Sequence, residues 1–528
     1  MVLRTWWLGN PAPPTGNRVG SHAYVLAVTF AIGVGVYFRT IGVFTDRFSF
    51  WLDEAVWAQL VAQPDWYRHA IRPLGYLAAS RLMVQLHDTE LPLRMLAYVP
   101  GILSLVLSFL VLRSLLSSRT LVVAGLFIVS THPSLIDYSR EYKPYALSVF
   151  MHLALVLSAL RYAQDPSARR LTLALGLACM SPLLAIDAVF ALPAVFVVLF
   201  ANAYREGDRR HMTAIVALVV VALAVTTCLY VFMWYPEAGP TAKAYWGLKY
   251  GVFHTGSRTE PSQPAWLWDK TRTLILWATA SGENFRIAGD ANFELLVVWA
   301  FFAALPLALW RRQFLPAILL AAPVGTTLAF HLLGLWPWGS FRANQFLIIY
   351  IVLLTLYFFE LLARGARRRF VSVGIAAIAF LLISAHCPTD FRAHDKKRSP
   401  GDSSVKKALE VIREYHFRRD AKGVQRAGKI PLVADRHAGP VIGYYTRQHK
   451  YLRDRFSFIR DEYEVIQVTG WNMDMWRDPR IPTNRPMWVI TENADNTMTA
   501  RSYLRRQCDV EVMKELPGDD LVAYVRCP

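Results

Sequence analysis

Residue types capable of chemistry gather in stretches that are otherwise apolar. In FSFWLDEAVWAQLV, residues 48–61, Asp53 and Glu54 stand side by side among aromatic and aliphatic neighbours. A second group, IDYSREYKPYALSVF, residues 136–150, holds Asp137, Arg140, Glu141, Lys143 and Tyr145. Carboxylates in such a setting suit proton abstraction or metal binding, and the cations suit a phosphate. Two plainer readings stand beside this one: the acidic pair favours the positive end of a helix, and the mixed charges form an internal salt-bridge set. Successive helical positions lie about 100° apart, so Asp53 and Glu54 cannot point the same way. One can face a polar cavity while the other caps the helix or meets headgroups.

The elements that must position these residues are membrane spans. Of 528 residues, 54% are hydrophobic and only 18% charged, which points to a polytopic membrane protein. About eleven runs have the length and apolarity of a span: near 22–40, 92–112, 119–136, 143–162, 170–186, 187–203, 212–234, 291–309, 314–334, 343–363 and 369–386. The first run reads as a retained helix rather than a removed signal, because no A-x-A cleavage site follows it. Arginines at 113 and 119, at 161, 169 and 170, at 205, 209 and 210, at 311 and 312, and at 364 and 367–369 fall in every second connection. That alternation places them on the cytoplasmic side with the N-terminus and explains the net charge of +18 without a nucleic-acid partner.

Three long polar segments then lie outside: residues 41–91, 235–290 and the tail from Cys387. WLDEAVWAQLVAQ reads as an amphipathic helix in the interface, with Leu52, Val56, Leu60 and Gln63 on one stripe, and Pro73 opens a second helix. Segment 235–290 carries Lys243, Tyr245, Trp246 and Lys249. It can fold over a site and stack on a sugar, or simply form an interfacial aromatic belt. In the tail, SSVKKALEVIREYHF has a helical period, whereas IPLVAD, MWVITEN and LVAYVRC read as strands, so residues 387–528 form a small α/β extracytoplasmic domain. CDVEVMKELPGDDLVAYVRC has the form of a hairpin with Cys508 and Cys527 at its open end, either disulfide-bonded in an oxidising compartment or free. No spacing resembles a zinc site.

An early DE, the REYKPY of the second outer loop and WPWGSFRANQFLI before a late span, in that order and on one side, resemble membrane glycosyltransferases of the GT-C superfamily. The nearest types are the protein O-mannosyltransferase, aminoarabinose transferase and galacturonic-acid transferase group. The resemblance covers residues 1–386 as an architecture, with outer loops 41–91, 137–142, 235–290 and 335–342, and only those three stretches as motifs. It implies a bacterial inner-membrane enzyme that takes a sugar from a polyprenyl-phosphate-linked donor and passes it to a lipid, glycan or protein on the non-cytoplasmic side. Asp53 would be the general base and Glu54 would orient it or contact the acceptor. Arg140, Lys143, Tyr145 and Arg342 would hold the carrier phosphate. No cofactor is required, although Asp53 with Asp137 or Glu141 can hold a divalent ion. FRAN stands where the group pairs Arg or His with Tyr, and RPLGYL where it has a His/Pro-rich start, which weakens Arg342 and leaves Arg72 without a role. The competing classes are a lipid-linked glycan polymerase or ligase, with arginines in later loops, and a transporter or flippase, with midplane charges and a repeat between halves.

Overall fold

The computed structural model describes residues 18–41, 43–44, 50, 52–66, 73–86, 89–234, 253–254, 261–280, 291–339, 342–364, 374, 405–420, 429–435, 437–449, 451–468, 480–481, 485–491, 494–516 and 520–528. Two compact units divide the chain. The helical unit comprises Met1–Thr40, Tyr67–Tyr76 and Leu96–His394, and the sheet-bearing unit comprises Ile41–Trp66, Leu77–Met95 and Asp395–Pro528. The first outer segment therefore groups largely with the tail.

In chain order the helices before the tail are α1 (Arg18–Thr40), α2 (Leu52–Ala62), α3 (Leu74–Leu86), α4 (Glu90–Leu115), α5 (Arg119–Thr131), α6 (Pro133–Arg140), α7 (Tyr145–Gln164), α8 (Ala168–Leu184), α9 (Leu192–Arg205), α10 (Arg209–Leu229), α11 (Gln263–Ala280), α12 (Ala291–Trp310), α13 (Phe314–Leu332) and α14 (Leu347–Ala363). Among the described residues five helices have the length and apolarity of a span, or six if α5 and α6, bent by 48° at their junction, are one. These coincide with the expected runs at 22–40, 92–112, 119–136, 143–162, 212–234 and 314–334. The runs at 170–186, 187–203 and 343–363 are also helical but shorter than about 20 residues, and the run at 291–309 is the helix α12. The tight SPLLAID connection is a 3-10 turn, Ile186–Phe190, and it delays α9 to Leu192. Residues 369–386 lie outside the described residues. The chain is thus a polytopic helical membrane protein with a small C-terminal sheet unit.

The segment 235–290 contains a further helix. Its residues 263–280 form α11, which buries Leu274, Ile275, Trp277 and Ala278 in the core of the helical unit. Asp269, Lys270 and Arg272 interrupt the apolar run there and hide it from a hydropathy reading.

Local signals fix the helix ends. The Ser118 hydroxyl accepts from Leu121 N at 3.4 Å at the start of α5, and Asp208 accepts from His211 N at 3.0 Å at the start of α10. Such caps are worth about 1 kcal/mol each. Two of the basic connections meet in this unit. Arg364 pairs with Glu360 at 2.9 Å and donates to Ser117 Oγ at 3.2 Å, while Glu360 accepts from Ser118 N at 3.1 Å.

The sheet of the other unit has the order β2-β1-β3-β5-β4, with β1 Ile430–Ala434, β2 Tyr463–Gln467, β3 Pro486–Thr491, β4 Asp509–Leu516 and β5 Asp520–Arg526. β1 is parallel to β2 and β3, and β5 is antiparallel to β3 and β4. One face buries Val433, Val489, Leu521, Ala523 and Val525. The opposite face pairs Trp488 with Tyr524, rings 5.0 Å apart, an arrangement worth about 0.5–1.5 kcal/mol beyond burial. Cys508 and Cys527 are disulfide-bonded across the open end of the β4–β5 hairpin.

Candidate functional site

Helix α2 carries the acidic pair. It is apolar on nearly every face, so its period could not select the buried side. The residues actually buried are Glu54, Ala55, Ala58, Leu60 and Val61, while Val56 and Trp57 are half-buried. Of the stripe expected from Leu52, Val56, Leu60 and Gln63, Leu60 is buried, Val56 half-buried and Gln63 exposed. Small alanines let the helix pack closely, and Leu60 and Val61 meet Leu77 of α3. The two carboxylates divide as helical geometry demands: Asp53 is half-buried, and Glu54 is completely buried. Arg94 answers Glu54 with a fork, Nε to Oε1 at 3.1 Å and Nη2 to Oε2 at 2.9 Å. The same guanidinium sits 5.2 Å from the Phe50 ring. Glu54 is therefore buried and held by Arg94.

In the helical unit, two prolines bracket α6. Pro133 has no N–H to give the carbonyl of Val129, so the helix bends there. Arg39 fills the gap: its guanidinium, buried at the end of α1, donates to Val129 O at 3.1 Å, Ser130 O at 2.9 Å and Gly35 O at 3.0 Å. Gly101 of α4 faces Ser139, and a Cβ at that position would lie 2.4 Å from the Ser139 Cβ, so the close approach requires glycine.

The helix held in this way carries Asp137, Tyr138 and Arg140. Asp137 and Arg140 pair at 2.6 Å. Glu141 and Lys143 follow, both buried, and Pro144 starts α7 at Tyr145. The Tyr138 ring meets Tyr145 edge-on at 4.8 Å, and its hydroxyl accepts from Arg342 Nε at 3.4 Å. Gln345 donates to Ser134 O at 2.7 Å and ties the Arg342 loop to α6. Phe346 of that loop stacks on His152, 4.5 Å between rings; His152 bonds Tyr350 Oη at 2.9 Å, and Ser148 donates to Asp187 at 2.6 Å. Tyr145 and the sequence-distant Arg342 thus meet Tyr138, on the same helix as the Asp137–Arg140 pair, with Lys143 buried in the connection between α6 and α7.

Among the described residues no group of three or more His, Cys, Asp or Glu side chains has the arrangement of a metal centre. Asp137 shares its charge with Arg140 and Glu54 with Arg94. Lys243, Tyr245, Trp246 and Lys249 lie outside the described residues. His331 is a hydrogen-bonded core residue, taking Trp338 N–H at 3.2 Å and stacked between Phe253 and Trp266. Sequence reading did not single out Arg39, Glu90, Arg94 or Tyr138. An isolated arginine in the last turn of a span was the available signal for Arg39.

Fold and site together define a polytopic membrane protein with a group of cationic side chains in its helical unit and an acidic helix grouped with its tail. No family model matches the chain, and no curated protein sequence matches it. Solved structures similar to it include the oligosaccharyltransferase of Archaeoglobus fulgidus in complex with Zn and sulfate: 11% identity over 93% of this chain and 72% of that chain, TM-score 0.45. ArnT from Cupriavidus metallidurans, in the apo state and bound to undecaprenyl phosphate, is similar at 12% identity over 96% of this chain and 98% of that chain, TM-score 0.49. Values this low carry no residue-by-residue correspondence, so the site's chemistry rests on this chain's own side chains.

Proposed function

We propose that the protein is a membrane glycosyltransferase that moves a sugar from a polyprenyl-phosphate-linked donor to an acceptor hydroxyl or amine on the non-cytoplasmic face. The observation that carries the reading is the meeting of Arg342 and Tyr145 at Tyr138, on the helix that carries Arg140, with buried Lys143 in the connection that follows and buried Arg39 bonded to the start of that bend. A buried excess of cations suits a phosphate whose charge grows as the glycosidic bond breaks.

In the step itself the acceptor oxygen or nitrogen forms a bond to the anomeric carbon. The bond from that carbon to the phosphate oxygen breaks, and its electron pair leaves with the phosphate. Asp53 takes the acceptor's proton, while Glu54, fixed by Arg94, anchors the helix that presents it. Arg140, Lys143 and Arg342 bind the phosphate, with Tyr145 beside them. The charge left on the phosphate is met by these side chains, so no step is routed through a metal; Asp137 and Glu141 are the carboxylates able to hold a divalent ion or the acceptor. Lys243, Tyr245, Trp246 and Lys249 are assigned to the sugar.

By the positive-inside rule we assign the basic connections to the cytoplasm and the tail to the periplasm of an inner-membrane protein. The Cys508–Cys527 disulfide supports an oxidising compartment. The test is turnover by the purified protein in nanodiscs. A panel of undecaprenyl-phosphate pentoses, hexoses and uronic acids is offered with envelope extract as acceptor. Release of undecaprenyl phosphate from one of them is expected, and release from none would overturn the reading.

A further inference from the structure

A buried polar chain runs from the tail to the acidic helix, and it lies wholly within the sheet-bearing unit. It begins at His449, just after the tail helix Ala438–Arg447. The Nδ1 atom of His449 accepts the N–H groups of Tyr451 and Leu452, at 3.3 and 3.1 Å. That leaves the ring proton on Nε2, which donates to Glu90 Oε2 at 2.9 Å. Tyr445 donates to Glu90 Oε1 at 2.6 Å, and Lys406 approaches the same oxygen at 3.8 Å. Burial pushes the Tyr445 phenol well above its ordinary range, so it stays a donor.

Glu90 lies in the first turn of α4, one turn before Arg94, the residue that forks onto Glu54. A second route runs through the backbone. The Tyr445 hydroxyl accepts from Phe50 N at 2.9 Å, two residues ahead of α2, and the Phe50 ring lies 4.9 Å from Tyr444. Further along α2, Gln59 donates to Pro440 O at 2.5 Å, and Gly443 leaves room for the Gln59 side chain. The tail thus grips α2 ahead of its first residue, at Glu54 and at Gln59. Apolar packing alone would tolerate rotation of a helix that is apolar on nearly every face, whereas a buried, mutually satisfied polar chain fixes one rotation.

We propose that His449 and Tyr445 are positioning residues: through Glu90, Arg94 and Phe50 they lock the rotation of the helix that carries Asp53. The activity part of this inference rests on Asp53 being the base. Displacing a base by about 1 Å costs roughly a hundredfold in rate without altering substrate affinity.

The test compares full-length wild type with His449→Leu, His449→Gln and Tyr445→Phe in nanodiscs. Gln keeps an N–H near the place of Nε2, and Phe keeps the ring. Hydrogen exchange is read at amides 54–62, with the β3–β5 amides as a folding control. In His449→Leu and Tyr445→Phe, α2 should exchange about tenfold faster, as expected for the loss of one buried hydrogen bond, with the sheet unchanged. kcat on the undecaprenyl-phosphate sugar turned over by wild type should fall at least tenfold in both, with affinity for undecaprenyl phosphate unchanged. His449→Gln should recover both readouts to within about threefold.

Unchanged α2 exchange in both variants overturns the inference. So does faster exchange with unaltered kcat, or a loss in kcat that Gln does not restore. If His449→Leu also loosens the sheet, Tyr445→Phe decides. Asp53→Asn serves as the reference: if it transfers sugar normally, the assignment of the base has failed, while the exchange arm still decides whether the tail holds α2.

Discussion

The two charged regions of the molecule are built on opposite plans. Around α2 each buried carboxylate meets a matching donor: Glu54 has the Arg94 fork, and Glu90 has His449, Tyr445 and Lys406. Around α6 cations predominate, and Arg39 spends its guanidinium on main-chain carbonyls. The paired interior around α2 holds a helix in place, and the proposal above reads the cations around α6 as the ones that meet an anion.

The largest effect should come from breaking the pairing at Arg94. Arg94→Met leaves Glu54 buried and uncompensated, and should lower the unfolding free energy by about 3–5 kcal/mol. The double variant with Glu54→Leu should recover most of that loss. Thermal or denaturant unfolding checks both, and a single variant as stable as wild type would deny Glu54 its anchoring role.

Arg94 also shows where sequence reading stops. The spans were legible because a run such as 143–162 needs no partner to declare itself, and it appears as Tyr145–Gln164. The tail's strands β1, β3, β4 and β5 were legible as short apolar or β-branched runs bounded by turn residues. β2, exposed at Glu464, Val465 and Gln467, has too little buried surface to leave a clear pattern. Asp53 and Arg140 stood out as charges in apolar company. Glu90 and Arg94, by contrast, look like ordinary polar flanks of a span, and their importance lies in partners about 355 and 40 residues away. The grouping of 41–66 with the tail depends on the same long-range contacts.

The next effect sharpens the contrast from the tail. Removing the Cys508–Cys527 bridge with Cys508→Ser should cost about 3 kcal/mol of the sheet-bearing unit's stability, because the disulfide closes a short loop. Melting followed by tail fluorescence should shift downward, and donor affinity should not move.

A smaller and opposite pattern is expected in the cation-rich region. Arg140→Ala should weaken binding of undecaprenyl phosphate roughly tenfold or more while changing stability by less than about 1 kcal/mol. Titration by intrinsic fluorescence checks the first part and melting the second. Unchanged affinity would show that the cations around Tyr138 do not serve a phosphate.

The central claim, that Asp53 is the base of a sugar transfer, is tested most directly by Asp53→Asn. Transfer from the donor used by wild type should drop by about 10²–10⁴-fold, with undecaprenyl phosphate affinity and melting temperature held. Transfer by Asp53→Asn at near the wild-type rate would contradict the account.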